Sequence, residues 1–413
     1  MINDTLIKTR IEKIFDFVNQ KVAEANVEEL VTDDLIKGKL GLLMYCLNSY
    51  HLNQEDIYLE KIQEILEDIF NKISLNESIM ASHMTLADGL PALGIVLHEL
   101  LKQDIIDSIF KDQIDVITDA VFDKCIEMIN NNNFDYFYGA TGLLFYLYEV
   151  EAFNNCSVLV DKLHEYALNH DYMFYNATGD VYTQGINFGF AHGTSAILAV
   201  LLKIYDQGIN QQKTKELLLN ITTKIISFKK ENIDRSKVSY QLEGFDFPTW
   251  FPYNIITERV DKIVKPELYS TNVYHFTDRL GWCNSDLGYV MLFYKLGITL
   301  DQQEYLKISD EIGDEIVTRL SFEKTAINSA NMCHGSAGVS ALYKSIYNLT
   351  SRGIYKQAHE HWLNATVKYL ELKMKKDFSF SDLEILTGWL GPVLFLQDVN
   401  FKKVSNWDSF FLI

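Results

Sequence analysis

Seven short stretches of this chain resemble one another, and their spacing limits the folds that the chain can adopt. Each stretch pairs two small residues with an almost wholly apolar run, as Gly335 and Gly338 do in the sixth stretch. The second small residues of the seven stretches are Gly41, Gly94, Gly142, Ala196, Gly288, Gly338 and Gly391. They recur at about fifty residues, except for a gap of 92 residues before Gly288 and two extra residues in the second stretch. A repeat of this length is typical of stacked helical hairpins.

Two kinds of helix alternate along the repeat. The apolar run in each stretch predicts a helix that is hydrophobic all round and must be enclosed, whereas the segment after it is amphipathic and can lie outside. The amphipathic segments are 55–74, 104–130, 157–169, 211–229, 301–320 and 353–375, and residues 1–35 share their periodicity. We therefore predict an all-α fold, a double-layered α/α toroid of about seven helical hairpins that forms a single domain over residues 1–413. An open solenoid is the alternative.

The long gap contains an insertion of different composition at residues 229–280. It holds three of the five prolines and a dense group of aromatic residues: Pro248, Pro252, Pro266, Phe245, Phe247, Trp250, Phe251 and Tyr253. Long irregular insertions in compact folds are often binding loops or lids, although a surface excursion without such a role is the alternative here. Because the insertion precedes the fifth repeat, we expect it to overhang the residues that this repeat carries.

Bulk composition narrows the functional classes. The 413 residues are 48% hydrophobic, which is ample for a core, and the net charge of −19 disfavours a nucleic-acid partner. No apolar run reaches the roughly eighteen residues of a membrane span, and the first residues lack the pattern of a signal peptide. The five cysteines are odd in number and widely spread, which favours a reducing compartment. We expect a cytoplasmic protein that is not an integral membrane protein.

Polar residues whose side chains could act in catalysis or bind a metal lie just before the small-residue pairs of the third to sixth repeats. They are Asp135, His192, Arg279, Cys283, Cys333 and His334. In a closed ring these equivalent positions meet at one end of the barrel, at the amino ends of the inner helices. Those ends offer unpaired N–H groups and the positive end of the helix dipole, which favour thiolates and other anions.

Two of these cysteines and one histidine form a plausible zinc site. Cys283, Cys333 and His334 would supply three ligands to Zn²⁺ and leave the fourth tetrahedral position open. Two thiolates and a neutral imidazole cancel the charge of the ion, so a substrate thiol bound there would keep its nucleophilic character. This ligand set therefore indicates thiol alkylation at least as much as hydrolysis, which three histidines would suit better.

Three motifs in these turns resemble the LanC family of lanthionine cyclases: GFAHG at 189–193, GWCNSDLG at 281–288 and CHGSAG at 333–338. The resemblance extends over essentially the whole chain and implies a double-layered α/α barrel with Zn²⁺ bound by Cys283, Cys333 and His334. It implies that a cysteine thiol of a precursor peptide adds to dehydroalanine or dehydrobutyrine to form (methyl)lanthionine. One departure is that Asn284 and Ser285 stand where the family usually has an aromatic residue followed by glycine.

The resemblance also implies roles and partners. His192 and Asp135 match acid/base positions, with His192 exchanging a proton and Asp135 orienting it, while Arg279 matches an arginine that could hold the developing enolate. The partners implied are a dehydrated precursor peptide of leader and core, and the dehydratase and membrane transporter of a biosynthetic complex. Such a complex would place a cytoplasmic chain peripherally at the inner membrane.

Three functions other than that of a cyclase are alternatives for this chain. A LanC-like enzyme that adds glutathione to dehydrated residues in proteins uses the same chemistry. A carbohydrate-active α/α toroid needs paired carboxylates, and Asp135 has no evident partner among the aligned turns. A docking scaffold with structural zinc needs a fourth protein ligand, for which Cys46 is in the wrong register; Cys46, Cys125 and Cys156 are predicted to be structural.

Overall fold

The computed structural model describes residues 5–30, 32–177, 185–233, 246–248, 250–251, 274–277, 279–401 and 403–413. Most of these residues lie in α-helices. The inner layer contains α2 (Lys39–Asn53), α4 (Leu90–Lys102), α6 (Ala140–Glu149), α8 (Thr194–Asp206), α10 (Asp286–Thr299), α13 (Ser336–Thr350) and α15 (Leu390–Asn400). The outer layer contains α1 (Thr5–Glu24), α3 (Asp56–Ser74), α5 (Phe110–Asn130), α7 (Phe153–Asn169), α9 (Gln211–Ile226), α11 (Gln303–Ile316) and α14 (Gly353–Lys373). The short helix α12 (Phe322–Thr325) lies between α11 and α13.

The inner helices form a closed ring within the described part of the chain. Each contacts the next in chain order, and α15 contacts α2, which closes the circle. The helix α1 packs against α14 and α15, so the first helix in sequence completes the outer layer beside the last hairpin. The contact between α15 and α2 confirms the predicted α/α toroid and excludes the open solenoid.

The core explains why the two layers differ in sequence. Most residues of each inner helix are buried because outer helices cover one side and the opposite inner helices the other; in α10, for example, the run from Asp286 to Tyr294 is buried throughout. The outer helices bury one stripe only, such as Tyr58, Ile62, Ile65, Leu66 and Ile69 of α3. Among the described helices, none is long and apolar enough to cross a membrane.

The small residue inside each inner helix allows a close approach to the preceding turn. At Gly338 a Cβ atom would overlap the carbonyl oxygen of Met332, so a larger residue would push the turn away. In the second repeat this position is Ala92, because its N–H bonds to Gly89 O at 3.2 Å just as that of Ala196 bonds to Gly193 O at 3.0 Å. The sequence alignment on Gly94, with two extra residues, was therefore wrong, and the second repeat has the regular spacing.

Little of the predicted insertion at 229–280 lies within the described residues. A short strand, β2 (Trp250–Phe251), pairs antiparallel with β1 (Ile186–Asn187), which precedes the fourth inner helix. The backbone N–H groups of Asp246 and Phe247 donate to the carboxylate of Asp286, at 2.8 and 3.2 Å. The insertion is thus attached beside the turns of the fourth and fifth repeats. Phe245 and Tyr253 lie outside the described residues. The role of the insertion as a lid and the domain boundaries at 1–413 and 229–280 stay predictions.

Candidate metal centre and active site

Backbone hydrogen bonds join the turns that precede the inner helices. The N–H of Ala191 donates to Cys283 O at 3.2 Å, that of Cys283 to Cys333 O at 3.0 Å, and that of Cys333 to Leu386 O at 3.2 Å. Each of these four residues lies two positions before the small residue that opens its repeat. Equivalent positions in successive repeats are therefore neighbours around the mouth of the toroid. This is the physical reason that Cys283 and Cys333, fifty residues apart, lie side by side.

Close packing of glycine keeps these turns together. A Cβ atom at Gly189 would overlap the carbonyl oxygen of Cys283, so this position has no room for a side chain. The turn of the sixth repeat is held from within, because the Asn331 side chain accepts a hydrogen bond from the backbone N–H of His334 at 2.9 Å. Both interactions fix the backbone from which the candidate ligands project.

The predicted ligands Cys283, Cys333 and His334 converge. One sulfur or ring-nitrogen atom from each lies within 4.8 Å of the other two, and all three side chains are partly exposed. These three are the whole His/Cys/Asp/Glu group that could hold a metal at this point of the described chain. The other three cysteines, Cys46, Cys125 and Cys156, are fully buried in helices away from the group, in agreement with a structural role.

The two thiols share their protons unequally. A hydrogen bond from the Cys333 thiol outweighs the effect of burial and, with smaller contributions from His334 and His192, lowers the pKa of Cys283 to about 5. The same bond, together with burial, raises the pKa of Cys333 well above its usual value. A cation beside the pair would favour loss of the second proton.

The donor set fits zinc. Thiolate ligands bind Zn²⁺ at about 2.3 Å and imidazole at about 2.0 Å, so tetrahedral ligand atoms lie roughly 3.5–3.8 Å apart. Donor atoms within 4.8 Å of one another reach that separation with small side-chain movements. Three protein ligands would leave one tetrahedral position of a bound zinc ion open, as in catalytic rather than structural zinc sites.

Two further predicted site residues, His192 and Asp135, pair with each other beside the thiols. Nδ1 of His192 and Oδ2 of Asp135 are 2.7 Å apart, and Asp135 is almost fully buried whereas the His192 side chain is 38% exposed. The other oxygen of Asp135 accepts the backbone N–H of Tyr138 at 2.8 Å. Since the backbone N–H of Ala191, the residue directly before His192, donates to Cys283 O at 3.2 Å, the histidine lies beside the thiol pair.

Arg279 lies at the edge of this site. The residue is exposed, its backbone N–H donates to Thr277 Oγ1 at 3.2 Å, and its charge favours the Cys333 thiolate.

The two residues that depart from the family pattern, Asn284 and Ser285, have structural roles. Ser285 is the N-cap of α10 and donates through Oγ to Gly281 O at 2.6 Å, while the side-chain oxygen of Asn284 packs against Gly189.

The ring of Tyr138, a residue that the sequence did not single out, lies beside His192. Its ring is 45% exposed and nearly parallel to that of His192, with an interplanar angle of 8° and ring centroids 6.3 Å apart. A signal was present in the repeat, because Tyr138, His192 and His334 each directly precede the opening glycine of their repeat. Trp282, which directly precedes Cys283, is fully buried and donates a hydrogen bond through its indole N–H to Phe411 O.

Fold and site together define an α/α-toroid protein with a candidate metal centre of two cysteines and a histidine. A family model described as "Lanthionine synthetase C-like protein" matches residues 29–412. The chain therefore belongs to the lanthionine synthetase C-like family.

A solved structure described as "Nisin cyclase" superposes on the chain with a TM-score of 0.70, covering 99% of this chain and 98% of that one. At 18% sequence identity, this similarity shows a shared fold. Nothing among the curated proteins matches the chain significantly.

Proposed function

We propose that the chain is a zinc-dependent lanthipeptide cyclase that adds precursor-peptide cysteine thiols to dehydroalanine or dehydrobutyrine and so forms (methyl)lanthionine rings. The convergence of Cys283, Cys333 and His334 beside His192, in a protein of this family, is the observation that carries the proposal. These three residues would hold Zn²⁺. When bound, the ion would lower the pKa of a substrate thiol and so supply a nucleophile near neutral pH.

His192 would move the proton in this reaction. Addition forms one carbon–sulfur bond and breaks the carbon–carbon π bond, and the proton of the thiol ends on the α-carbon. Because Nδ1 of His192 faces Asp135, Nε2 is the nitrogen that would take the proton from the thiol or deliver it to the enolate. Asp135 would fix the tautomer and the ring orientation, as a buried carboxylate does for other catalytic histidines. Arg279 would stabilise the negative charge of the enolate from the edge of the site.

This chemistry implies the partners. The substrate must be a peptide that already contains dehydrated residues, so a dehydratase must act before the cyclase. A membrane transporter and a position at the cytoplasmic face of the inner membrane belong to the proposal through the family resemblance. No nucleic acid is involved.

Ring closure can be tested with a synthetic peptide that contains one dehydroalanine and one cysteine a few residues away. Cyclisation leaves the mass unchanged and removes one thiol, so alkylation with iodoacetamide followed by mass spectrometry counts the rings. We expect the zinc-loaded protein to accelerate thiol loss well beyond the rate without protein, and His192→Asn to remove most of that acceleration. A rate equal to the uncatalysed rate would contradict the proposal.

A parallel reaction tests the glutathione alternative. Here the peptide contains dehydroalanine but no cysteine, and glutathione is added. A mass gain of one glutathione that depends on the protein, without accelerated ring closure in the first reaction, would assign the protein to glutathione addition instead.

A further inference from the structure

An apolar groove lies on the outer surface of the toroid, between α3 and the connection that leads from α4 into α5. It has a volume of about 730 Å³. We call it the outer groove; the lining residues used below are Leu59, Ile62, Leu66, Glu67, Phe70 and Phe110. None of them belongs to the candidate metal centre or has a role in the proposed reaction.

One helix presents an apolar stripe to the groove along most of its length. Leu59, Ile62, Leu66 and Phe70 follow one another on α3 at spacings of three and four residues, so they share one face of the helix. At 1.5 Å per residue, the stripe from Leu59 to Phe70 is about 16 Å long. This is the length of three turns of a second helix laid against it.

The opposite wall comes from the connection between α4 and α5. Ile105 and Ile106 line the groove there, and the ring of Phe110 at the start of α5 lies 5.6 Å from that of Phe70. These four side chains are only partly buried, and the neighbouring Ile109 is 63% exposed. Contiguous apolar side chains left in water are typical of interaction sites. The outer groove therefore offers the apolar area that a protein partner can cover.

The segments that border the outer groove are strongly acidic. Residues 55–74 and 104–123 contain twelve Asp and Glu against three Lys. Nine of these carboxylates form no ion pair within the described part of the chain. Each of the three lysines is already paired with a carboxylate of its own helix: Lys61 with Glu64, Lys72 with Asp68 and Lys111 with Asp115.

Two unpaired carboxylates lie on the lip that α3 forms. Glu60 and Glu67 are exposed, and they share one face of α3 because they are two turns apart. Glu67 lines the groove beside Gln63, whose side-chain amide donates to it at 2.8 Å. A cationic side chain next to an apolar one would meet this lip favourably, whereas an acidic protein or an anionic lipid surface would be repelled.

We propose that the outer groove binds an amphipathic helix of a partner protein, whose apolar stripe fills the groove and whose Lys or Arg residues face Glu60 and Glu67. A helix fits because α3 supplies three turns of side chains, and because α5 does not pack against α3 as it packs against α7. The proposal goes beyond the cyclase reaction and does not depend on it, since no residue of the groove takes part in that chemistry.

Fluorescence anisotropy with a labelled synthetic peptide tests this assignment. The probe is about eighteen residues long, because shorter helices are marginal in water, and contains only Leu, Lys and Ala, with the leucines on one helical face. We expect saturable binding that weakens with added salt, since the lip is exposed. Two control peptides should bind about tenfold more weakly: one of the same composition with the leucines scattered around the helix, and one with Glu in place of Lys. Equal binding of either control would overturn the proposal.

Charge reversal locates the binding site. The double change Glu60→Lys with Glu67→Lys should weaken binding of the lysine peptide about tenfold, because two attractive charge contacts become repulsive. Glu304→Lys with Glu360→Lys is the matched control, since both residues are exposed on other outer helices, α11 and α14, and the change in net charge is the same. Equal affinities of the two double variants would overturn the assignment to the outer groove.

Leu59→Gln tests the apolar stripe, since glutamine keeps the length of the side chain and is compatible with a helix. We expect about fivefold weaker binding of the peptide, because apolar contact area is lost. Leu219→Gln is the control, as Leu219 is likewise partly buried, on α9. Melting temperatures check that both variants fold, and if Leu59→Gln does not, the charge reversal decides. Equal affinities of the two variants would overturn the role of the stripe.

Two other occupants are outcomes that would overturn the proposal. One is a dimer of the chain, seen by sedimentation, that Leu59→Gln abolishes; the other is stronger binding to vesicles of anionic lipid than to the peptide. The results are separable from those for the reaction. Peptide binding without ring closure would leave the outer groove assigned and refute the cyclase, whereas ring closure by a protein that does not distinguish the three peptides would refute the groove alone.

Discussion

The indole nitrogen of Trp282 donates a 2.6 Å hydrogen bond to the carbonyl oxygen of Phe411, and the two rings meet edge to face at 5.1 Å. Trp282 directly precedes Cys283, and Phe411 belongs to a 3₁₀ turn at Trp407–Phe411. The neighbouring Phe410 O accepts a hydrogen bond from Tyr136 at 2.9 Å. The 3₁₀ turn at Trp407–Phe411 is therefore packed inside the ring of helices, where its backbone is bonded to residues of the turns of the third and fifth repeats.

Trp282→Phe should destabilise the protein, because it leaves Phe411 O without its donor. The expected loss is about 1–3 kcal/mol in the free energy of unfolding, measured with urea. Trp362→Phe is the control, since Trp362 is also buried but its indole N–H has no acceptor among the described residues. Equal losses for the two variants would show that the hydrogen bond has no particular effect.

Cys283→Ala should abolish stoichiometric zinc and ring closure while the helical circular dichroism persists. The reason is that two remaining ligands bind zinc far more weakly than three. Elemental analysis after gel filtration measures the metal, and Cys156→Ala, which alters a buried cysteine of α7, serves as the control. Full zinc content in Cys283→Ala would contradict the ligand assignment.

His192→Asn should retain zinc and slow ring closure by about 10²–10⁴, the usual contribution of general acid–base catalysis. Asp135→Asn should slow it less, by about tenfold or more, because the imidazole keeps its place but loses the carboxylate that orients it. In His192→Asn, the pH–rate profile should lose the limb that depends on His192. A normal rate in either variant would remove that residue from the mechanism.

Tyr138→Ala should slow ring closure about tenfold, whereas Tyr138→Phe should be close to wild type. The prediction follows from the parallel contact between the rings of Tyr138 and His192, which holds the imidazole in one orientation without using the hydroxyl group. Separate kcat and KM values check it, together with the pH dependence of kcat. Equal rates of Tyr138→Ala and the wild type would refute a positioning role, and a slow Tyr138→Phe would assign a role to the hydroxyl.

Asp286 should make stability depend on pH. Burial raises the pKa of this carboxyl to about 7 despite the hydrogen bonds from Asp246 and Phe247, so the native state holds the proton more tightly than the unfolded chain. As pH rises from 4 to 7, this group therefore removes stability, on the order of 1–3 kcal/mol. Urea unfolding at pH 5 and pH 8 should show a larger loss for the wild type than for Asp286→Asn. Parallel losses would contradict the assignment.

Much of the fold and part of the site were predictable from local pattern. The apolar runs separated inner from outer helices because a helix without a polar face must be enclosed, and the repeat placed Cys283 and Cys333 at one register, two positions before their opening residues. The same pattern misled at Gly94. The alignment chose Gly94 because glycine occupies this place in most repeats. The hydrogen bond from Ala92 N–H to Gly89 O shows that Ala92 is the second small residue of the second repeat.

The sequence by itself determined the two layers, the register of the turns in every repeat but the second, and the three residues that converge as candidate metal ligands, since these depend on periodicity within a repeat. Only the tertiary structure decided that α15 meets α2, that Asp135 reaches His192 and that Trp282 bonds to Phe411. Contacts of this kind join residues 57 and 129 positions apart. They depend on the curvature of the closed ring and on side-chain directions, which no local pattern contains.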